Sequence, residues 1–263
     1  MAAGLAEHEF VHGENPKVEN AGSEAYRSQA LQLAPDDEMV LTMVANKCSP
    51  STVGEESAPC SKDLVFRLTE LDPDNGFYWA KLATYQLGNE DTDAALKSYQ
   101  RAVVAPILSI GWGEQVYRLS KALNEILAIT ESCAAPIAAG IAAANLPRYE
   151  GFINACRAHS GDGGWRQACL DLGHKMETQS PSVVSRMIGF PMQRIVYEAM
   201  SDEVGVAAVA ERKEQLRETL VEKGSVNECL WSDPDMTEEW LLSLRDFGEI
   251  ETMSRFAETA ADC

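Results

Sequence analysis

Residues 71–106 read LDPDNGFYWAKLATYQLGNEDTDAALKSYQRAVVAP, and their pattern predicts one helical hairpin. The cluster DPDN at 72–75 suits a turn, because proline ends a helix and Asp or Asn side chains cap the next one. A polar break, GNED, follows at 88–91 and separates two segments with helical spacing. The apolar faces of these segments are too wide to be buried by one hairpin, so the pattern predicts similar hairpins packed on both sides.

Large and small side chains recur three and four residues apart in both segments, which places them on one face of each helix. The residues with this spacing are Trp79, Leu82 and Ala83, then Ala95, Tyr99 and Ala102. Small residues let helices approach closely, while the aromatic rings fill the volume between them. We therefore expect both faces to be buried against neighbouring helices.

The order and spacing of these six residues resemble the tetratricopeptide repeat (TPR) family. Pro35, Pro73 and Pro106 follow one another at 38 and 33 residues, against a family period of about 34. One feature departs from the family: Leu87-Gly88 comes two residues early, so we expect a short first helix and a long loop. The resemblance covers about residues 20–130 and implies an all-α fold, a right-handed stack of antiparallel helical hairpins (a TPR-like α-solenoid).

Three regions are expected along the chain: an N-terminal arm or short helix (1–18), TPR-like repeats (19–131) and a C-terminal helical region packed on the repeats (132–263). The last region is rich in alanine and proline at its start, which predicts short helices with kinks. Ser180-Pro181 suits the start of a helix, and residues 203–223 suit an amphipathic helix. Asp235 and Glu238 resemble a capping box before a further helix.

The chain is strongly acidic, with 41 Asp and Glu against 22 Lys and Arg, a formal charge of −19. This charge argues against nucleic acid or an anionic membrane surface as a partner and favours a basic protein or peptide. A high net charge also keeps a protein soluble, which is an alternative explanation for this composition. No apolar run approaches the roughly 20 residues of a membrane-spanning helix, so no transmembrane segment is expected.

Four of the seven cysteine residues form two pairs in matching settings, each pair across a loop between two predicted helices. The pairs are Cys48 with Cys60 and Cys156 with Cys169, separated by eleven and twelve residues. Disulfides at both places would each stabilise the fold by about 3 kcal/mol and would persist in an oxidising compartment. The alternative is a cytosolic protein with buried thiols.

The disulfide interpretation predicts an exported protein, periplasmic or secreted. The N-terminal residues MAAGLAEHEF lack the basic start and apolar stretch of a signal peptide, so we expect that a signal segment is absent from this sequence. The pairing of the remaining cysteines stays open, with the terminal one the best candidate for a free thiol: Cys133, Cys229 and Cys263.

His8, Glu9 and His12 match the HExxH pattern, in which two imidazoles bind zinc and the glutamate activates a water. The match lies at the chain end, and Gly13 and Pro16 soon interrupt the helix. We therefore expect no metal and no cofactor, with His8 and His12 as the weak alternative.

Aromatic residues of the repeat region could line a concave binding face. Four are candidate ligand-binding residues: Tyr78, Tyr85, Trp112 and Tyr117. Tyr78 and Tyr85 lie off the main stripe and are expected to be exposed.

Three functions are compatible with these observations. The first is a non-catalytic scaffold that binds a protein or peptide. The second is an exported acidic inhibitor or immunity protein that neutralises a cationic toxin or lytic enzyme, with its charge raising the association rate. The third is a hydrolase that uses carboxylates or the zinc pattern. The sequence leaves the partner and the oligomeric state open.

Overall fold

The computed structural model describes residues 16–47, 61–223 and 230–259. Within these ranges the chain forms twelve α-helices and no β-strand, so the prediction of an all-α fold is confirmed. No helix there combines the length and the apolar character needed to cross a membrane. The helices are α1 (Pro16–Leu33), α2 (Glu38–Lys47), α3 (Lys62–Leu71), α4 (Gly76–Gly88), α5 (Thr92–Val104), α6 (Trp112–Leu127), α7 (Glu131–Ala144), α8 (Glu150–Ala158), α9 (Gly163–Gln179), α10 (Val183–Ala199), α11 (Glu203–Lys223) and α12 (Pro234–Thr259).

Helices α4 and α5 form the hairpin that the sequence predicts. Asn75 and Asp91 cap them, since each side chain accepts a hydrogen bond from an N–H group in the first turn. The expectation of a short first helix and a long loop is wrong: α4 runs for 13 residues to Gly88, and residues 89–91 alone connect it to α5. Glu90 makes this tight connection in the left-handed region, with φ of 62°.

The stripe of small and aromatic residues lies inside the protein, as its spacing predicts. Trp79 is half-buried, and the other five residues are at most 2% exposed: Leu82, Ala83, Ala95, Tyr99 and Ala102. The Tyr99 hydroxyl donates to the Phe152 carbonyl of α8 at 3.2 Å, and its ring lies 5.2 Å from that of Trp165 on α9. The hairpin therefore packs its inner face on α8 and α9.

A disulfide joins α8 to α9 through Cys156 and Cys169, whose Cα atoms are 5.8 Å apart. This pairing was predicted from the sequence and is confirmed. Cys133 on α7 is free and exposed. The other predicted pair, Cys48 with Cys60, lies outside the described residues, as do Cys229 and Cys263.

Helices α9 and α10 approach so closely that backbone touches backbone. A Cβ atom added to Gly189 would lie 2.3 Å from the Gly173 carbonyl oxygen, so only glycine fits there. The predicted helix start at Ser180-Pro181 is wrong, because both residues lie in the connection and α10 begins at Val183. The predicted helix at 203–223 coincides with α11.

Helix α12 bends sharply at Gly248, whose φ of 79° favours glycine. The predicted capping box is wrong in its residues: Asp233 accepts the hydrogen bonds from the first N–H groups of α12, so Asp235 is not the cap. Glu238 instead pairs with Lys121 of α6, which ties the two helices together.

Candidate functional site

An open groove of about 540 Å³ lies between the C-terminal end of α4 and the outer face of α8. Thr84 and Leu87 form one wall, and Gly151, Asn154 and Ala158 form the other, while the α4–α5 connection closes one end. The volume is that of a typical small-ligand or peptide side-chain site. A second open cavity of about 570 Å³ lies along α12. We take the groove as the main candidate because α8, which lines it, is fixed by a disulfide.

Small residues on α8 create the groove. Gly151 lies directly against Thr84, because a Cβ atom added there would be 3.0 Å from the Thr84 Cγ2 atom. Ala155, one turn further along α8, is buried at the groove floor and precedes the disulfide residue Cys156. Since the disulfide fixes α8 to α9, the wall is held in place before any ligand arrives.

Charged and polar side chains surround this apolar floor. Glu90, Arg148, Glu150 and Asn154 are exposed along the edge. His159 also lines the groove, and its ring is stacked on that of Trp165 with 4.7 Å between the ring centres. An apolar floor between polar edges suits a ligand that offers both apolar groups and hydrogen bonds, as an extended peptide does.

Two of the aromatic residues that the sequence suggested as ligand-binding are buried. Tyr78 is 2% and Tyr85 0% exposed, so the expectation that they are exposed is wrong. The Tyr78 hydroxyl donates to Glu38 Oε1 at 2.8 Å, and burial raises its pKa. Burial likewise raises the pKa of Tyr85 to about 12. The physical reason is that neighbouring helices cover α4 on nearly every side.

Trp112 and Tyr117 are half-buried on α6, away from the groove. The guanidinium of Arg245 lies 4.7 Å from the centre of the Tyr117 ring, a cation–π contact. Trp112 contributes to a separate cavity of about 170 Å³. The structure therefore places none of the four predicted aromatic residues in the groove, and their role in binding stays a prediction.

The zinc pattern formed by His8, Glu9 and His12 lies outside the described residues. Within the described ranges, no three His, Cys, Asp or Glu side chains lie close enough together to hold a metal ion.

Sequence reasoning missed the residues of α8 that line the groove. The signal was available: Gly151, Ala155 and Ala158 recur four and three residues apart, which gives α8 one face of very small side chains. Packing between distant segments decides which helix covers that face and how much of it stays open. The spacing alone therefore did not identify a groove.

Comparison of the chain with protein-family models, with curated proteins and with solved structures finds no match. The resemblance to the TPR family therefore stays a prediction from the sequence.

Proposed function

We propose that this protein is a non-catalytic binding module that holds an extended peptide or protein segment in the groove between α4 and α8. The observation that carries the proposal is the groove itself, about 540 Å³ in volume, with an apolar floor and polar edges. A wall stapled by the Cys156–Cys169 disulfide supports binding with little reordering of the protein.

We further propose that the groove belongs to a right-handed stack of TPR-like helical hairpins. The burial of Leu82, Ala83, Ala95, Tyr99 and Ala102 supports this arrangement, because these are the positions that must be covered when one hairpin packs on the next. Such stacks bind extended segments on their surfaces.

We propose that the mature protein is exported to the periplasm or outside the cell. The disulfide between Cys156 and Cys169 supports it, because disulfides persist in oxidising environments and are rare in the cytosol.

The partner we propose is basic overall. The chain carries a net charge of −19, which attracts cations and speeds their association. Glu90 and Glu150 at the groove edge could meet Lys or Arg side chains of a bound segment.

Selection from a random peptide display library, under non-reducing conditions, tests the proposal. The variant Asn154→Trp places a large ring in the groove from an exposed position of α8. The matched control Gln167→Trp makes a similar neutral change at an exposed position of α9 that does not line the groove. We expect peptides selected on the wild type to bind the control equally and to lose at least tenfold in affinity for Asn154→Trp. Equal binding to all three proteins, or no enriched peptide, would contradict the proposal.

A further inference from the structure

Four basic residues from separate elements lie near one another, and one of them lines the groove. They are Arg27 on α1, Lys47 at the end of α2, Lys81 on α4 and Arg148 just before α8, here called the basic cluster. Their charges affect one another: besides burial, the Arg148 guanidinium lowers the pKa of both Lys81 and Lys47, and Arg27 lowers that of Lys47. Like charges have therefore been brought together, which is unfavourable without a compensating anion.

No carboxylate forms an ion pair with the basic cluster in the described structure, although Glu90 and Glu150 line the same groove as Arg148. Among the described residues, ion pairs occur on several helices, yet none includes Arg27, Lys47, Lys81 or Arg148. The chain has 41 acidic residues against 22 basic ones, so acidic partners are abundant elsewhere. An unopposed basic cluster in such a chain needs a specific explanation.

Lys47 of the cluster donates to the Ala144 carbonyl, but other buried donors in and beside the cluster have a long hydrogen bond or none. Lys81 is 5% exposed, and its one hydrogen bond within the described residues, to Asn46 Oδ1, is long at 3.4 Å. The Asn46 amide donates in turn to the Asn145 carbonyl at 3.3 Å. The side-chain nitrogen of Asn145 and Nε of Arg27 are buried without any hydrogen-bond partner in the described part of the chain. Each such donor destabilises the fold by about 1–3 kcal/mol unless an acceptor reaches it.

The groove reaches the basic cluster at one residue, Arg148. Arg148 lines the groove directly, and so does Thr84, which lies one helical turn after Lys81 on α4. The Thr84 hydroxyl donates to the Lys81 carbonyl at 2.7 Å, which fixes this turn of the helix. Lys81 and Asn145 are buried behind this lining rather than part of it, with Asn145 three residues before Arg148 in the chain, so an anion must pass the lining at Arg148 to reach them.

We propose that the Arg148 end of the groove binds an oxyanion with more than one negative charge, a phosphate or a polycarboxylate. The anion is either a free small molecule or a group on a bound peptide. Arg148 contacts it from the edge, and Lys81 and the Asn145 amide supply the buried donors. The inference rests on the proposed function only for its location in the same groove, because a free anion can bind whether or not a peptide does.

Proton uptake accompanies binding if Lys81 takes part. Burial and the nearby Arg148 guanidinium lower the pKa of Lys81 to about 7, so at pH 8 the amine is mostly neutral. An anion beside it favours the ammonium form and raises its pKa, so a proton is taken from the buffer. In the described structure Arg148 is the charged group that affects the pKa of Lys81, and no carboxylate does so.

Isothermal titration calorimetry at pH 8 and constant ionic strength tests the inference, in two buffers of different ionisation enthalpy. The probes are inorganic phosphate, citrate, a short capped peptide with two aspartates and the same peptide with two asparagines. The first two report free anions and the third reports a peptide-borne one. We expect at least one anionic probe to bind with proton uptake and the asparagine peptide not to bind.

Variants assign the binding to the basic cluster. Arg148→Gln removes an exposed charge and should weaken binding about tenfold or more, the effect of losing one charge-assisted hydrogen bond. The matched control Arg217→Gln removes the same charge from an exposed position of α11 outside the groove and should leave binding unchanged. Lys81→Met should abolish proton uptake. If Lys81→Met does not fold, as checked by circular dichroism, the comparison of the two arginine variants decides.

Two results would overturn the inference: no anionic probe binds, or Arg148→Gln and Arg217→Gln bind the anionic probe equally well. Neither result contradicts the proposed function if the display-selected peptides still bind Asn154→Trp more weakly than the wild type. Conversely, anion binding that depends on Arg148 would stand even if no display peptide were found.

Discussion

Replacing Lys81 by methionine should stabilise the protein at neutral and acidic pH. Methionine keeps the length and apolar character of the lysine stem and removes the ammonium group, which is buried without a carboxylate partner in the described structure. The side chain sits between the Phe77 ring, 6.0 Å from Nζ, and the amide of Asn46. The change therefore removes a poorly solvated charge at little loss of packing.

The size of the effect follows from the pKa of Lys81, which burial and Arg148 lower from 10.5 to about 7. Each unit of difference between folded and unfolded pKa corresponds to about 1.4 kcal/mol, so the upper bound is about 5 kcal/mol. Below pH 7 both states carry the proton and the destabilisation is complete. Between pH 7 and 10.5 the folded state has lost the proton, so the destabilisation declines as the pH rises, and above 10.5 it is absent.

Urea unfolding followed by circular dichroism, from pH 6 to pH 9.5, measures this prediction. We expect the free energy of unfolding of the wild type to rise with pH relative to that of Lys81→Met. At pH 6 the variant should have the higher free energy of unfolding, by several kcal/mol. Loss of the hydrogen bond to Asn46 reduces this gain by about 1 kcal/mol. Lys97→Met, at an exposed position of α5, is the control and should follow the wild type. Parallel pH profiles for wild type and Lys81→Met would refute the argument that Lys81 is buried without compensation.

Two further predictions concern the rigid parts of the fold. Replacing both Cys156 and Cys169 by serine should lower the free energy of unfolding by about 3 kcal/mol, because the disulfide closes a loop with a sequence separation of 13. The control Cys133→Ser changes an exposed free thiol and should have little effect. An equal loss of stability in both variants would contradict the disulfide assignment. Gly189→Ala should destabilise by about 1–3 kcal/mol, since its Cβ would lie 2.3 Å from a carbonyl oxygen of α9, whereas Gly140→Ala on α7, with open space around it, should stabilise by about 0.5–1 kcal/mol. Thermal unfolding of the paired variants checks both, and a stable Gly189→Ala protein would refute the close contact.

The elements that the sequence predicts well are those set by local spacing. Ala95, Tyr99 and Ala102 are buried because intervals of four and three place them on one face, whatever the neighbours are. The Cys156–Cys169 pair could be predicted because a short loop between two helices brings its ends together. Both inferences use contacts between residues that are close in sequence.

The errors and omissions concern contacts between distant segments. Tyr78 and Tyr85 were expected at the surface because they lie off the stripe, but helices on other sides of α4 cover them as well. The basic cluster is invisible to an analysis of net charge, because Lys81 and Arg148 meet only after four elements have packed. The groove likewise depends on how α8 lies against α4.

Amide hydrogen exchange, with and without a display-selected peptide, tests most directly whether the groove is the binding surface. The account predicts slower exchange in residues 84–92 and 148–159, which line or border the groove, and no change on α6. Slower exchange around Trp112 and Tyr117, with unchanged exchange at the groove, would contradict this account. It would indicate that the aromatic residues of the repeat region form the binding site.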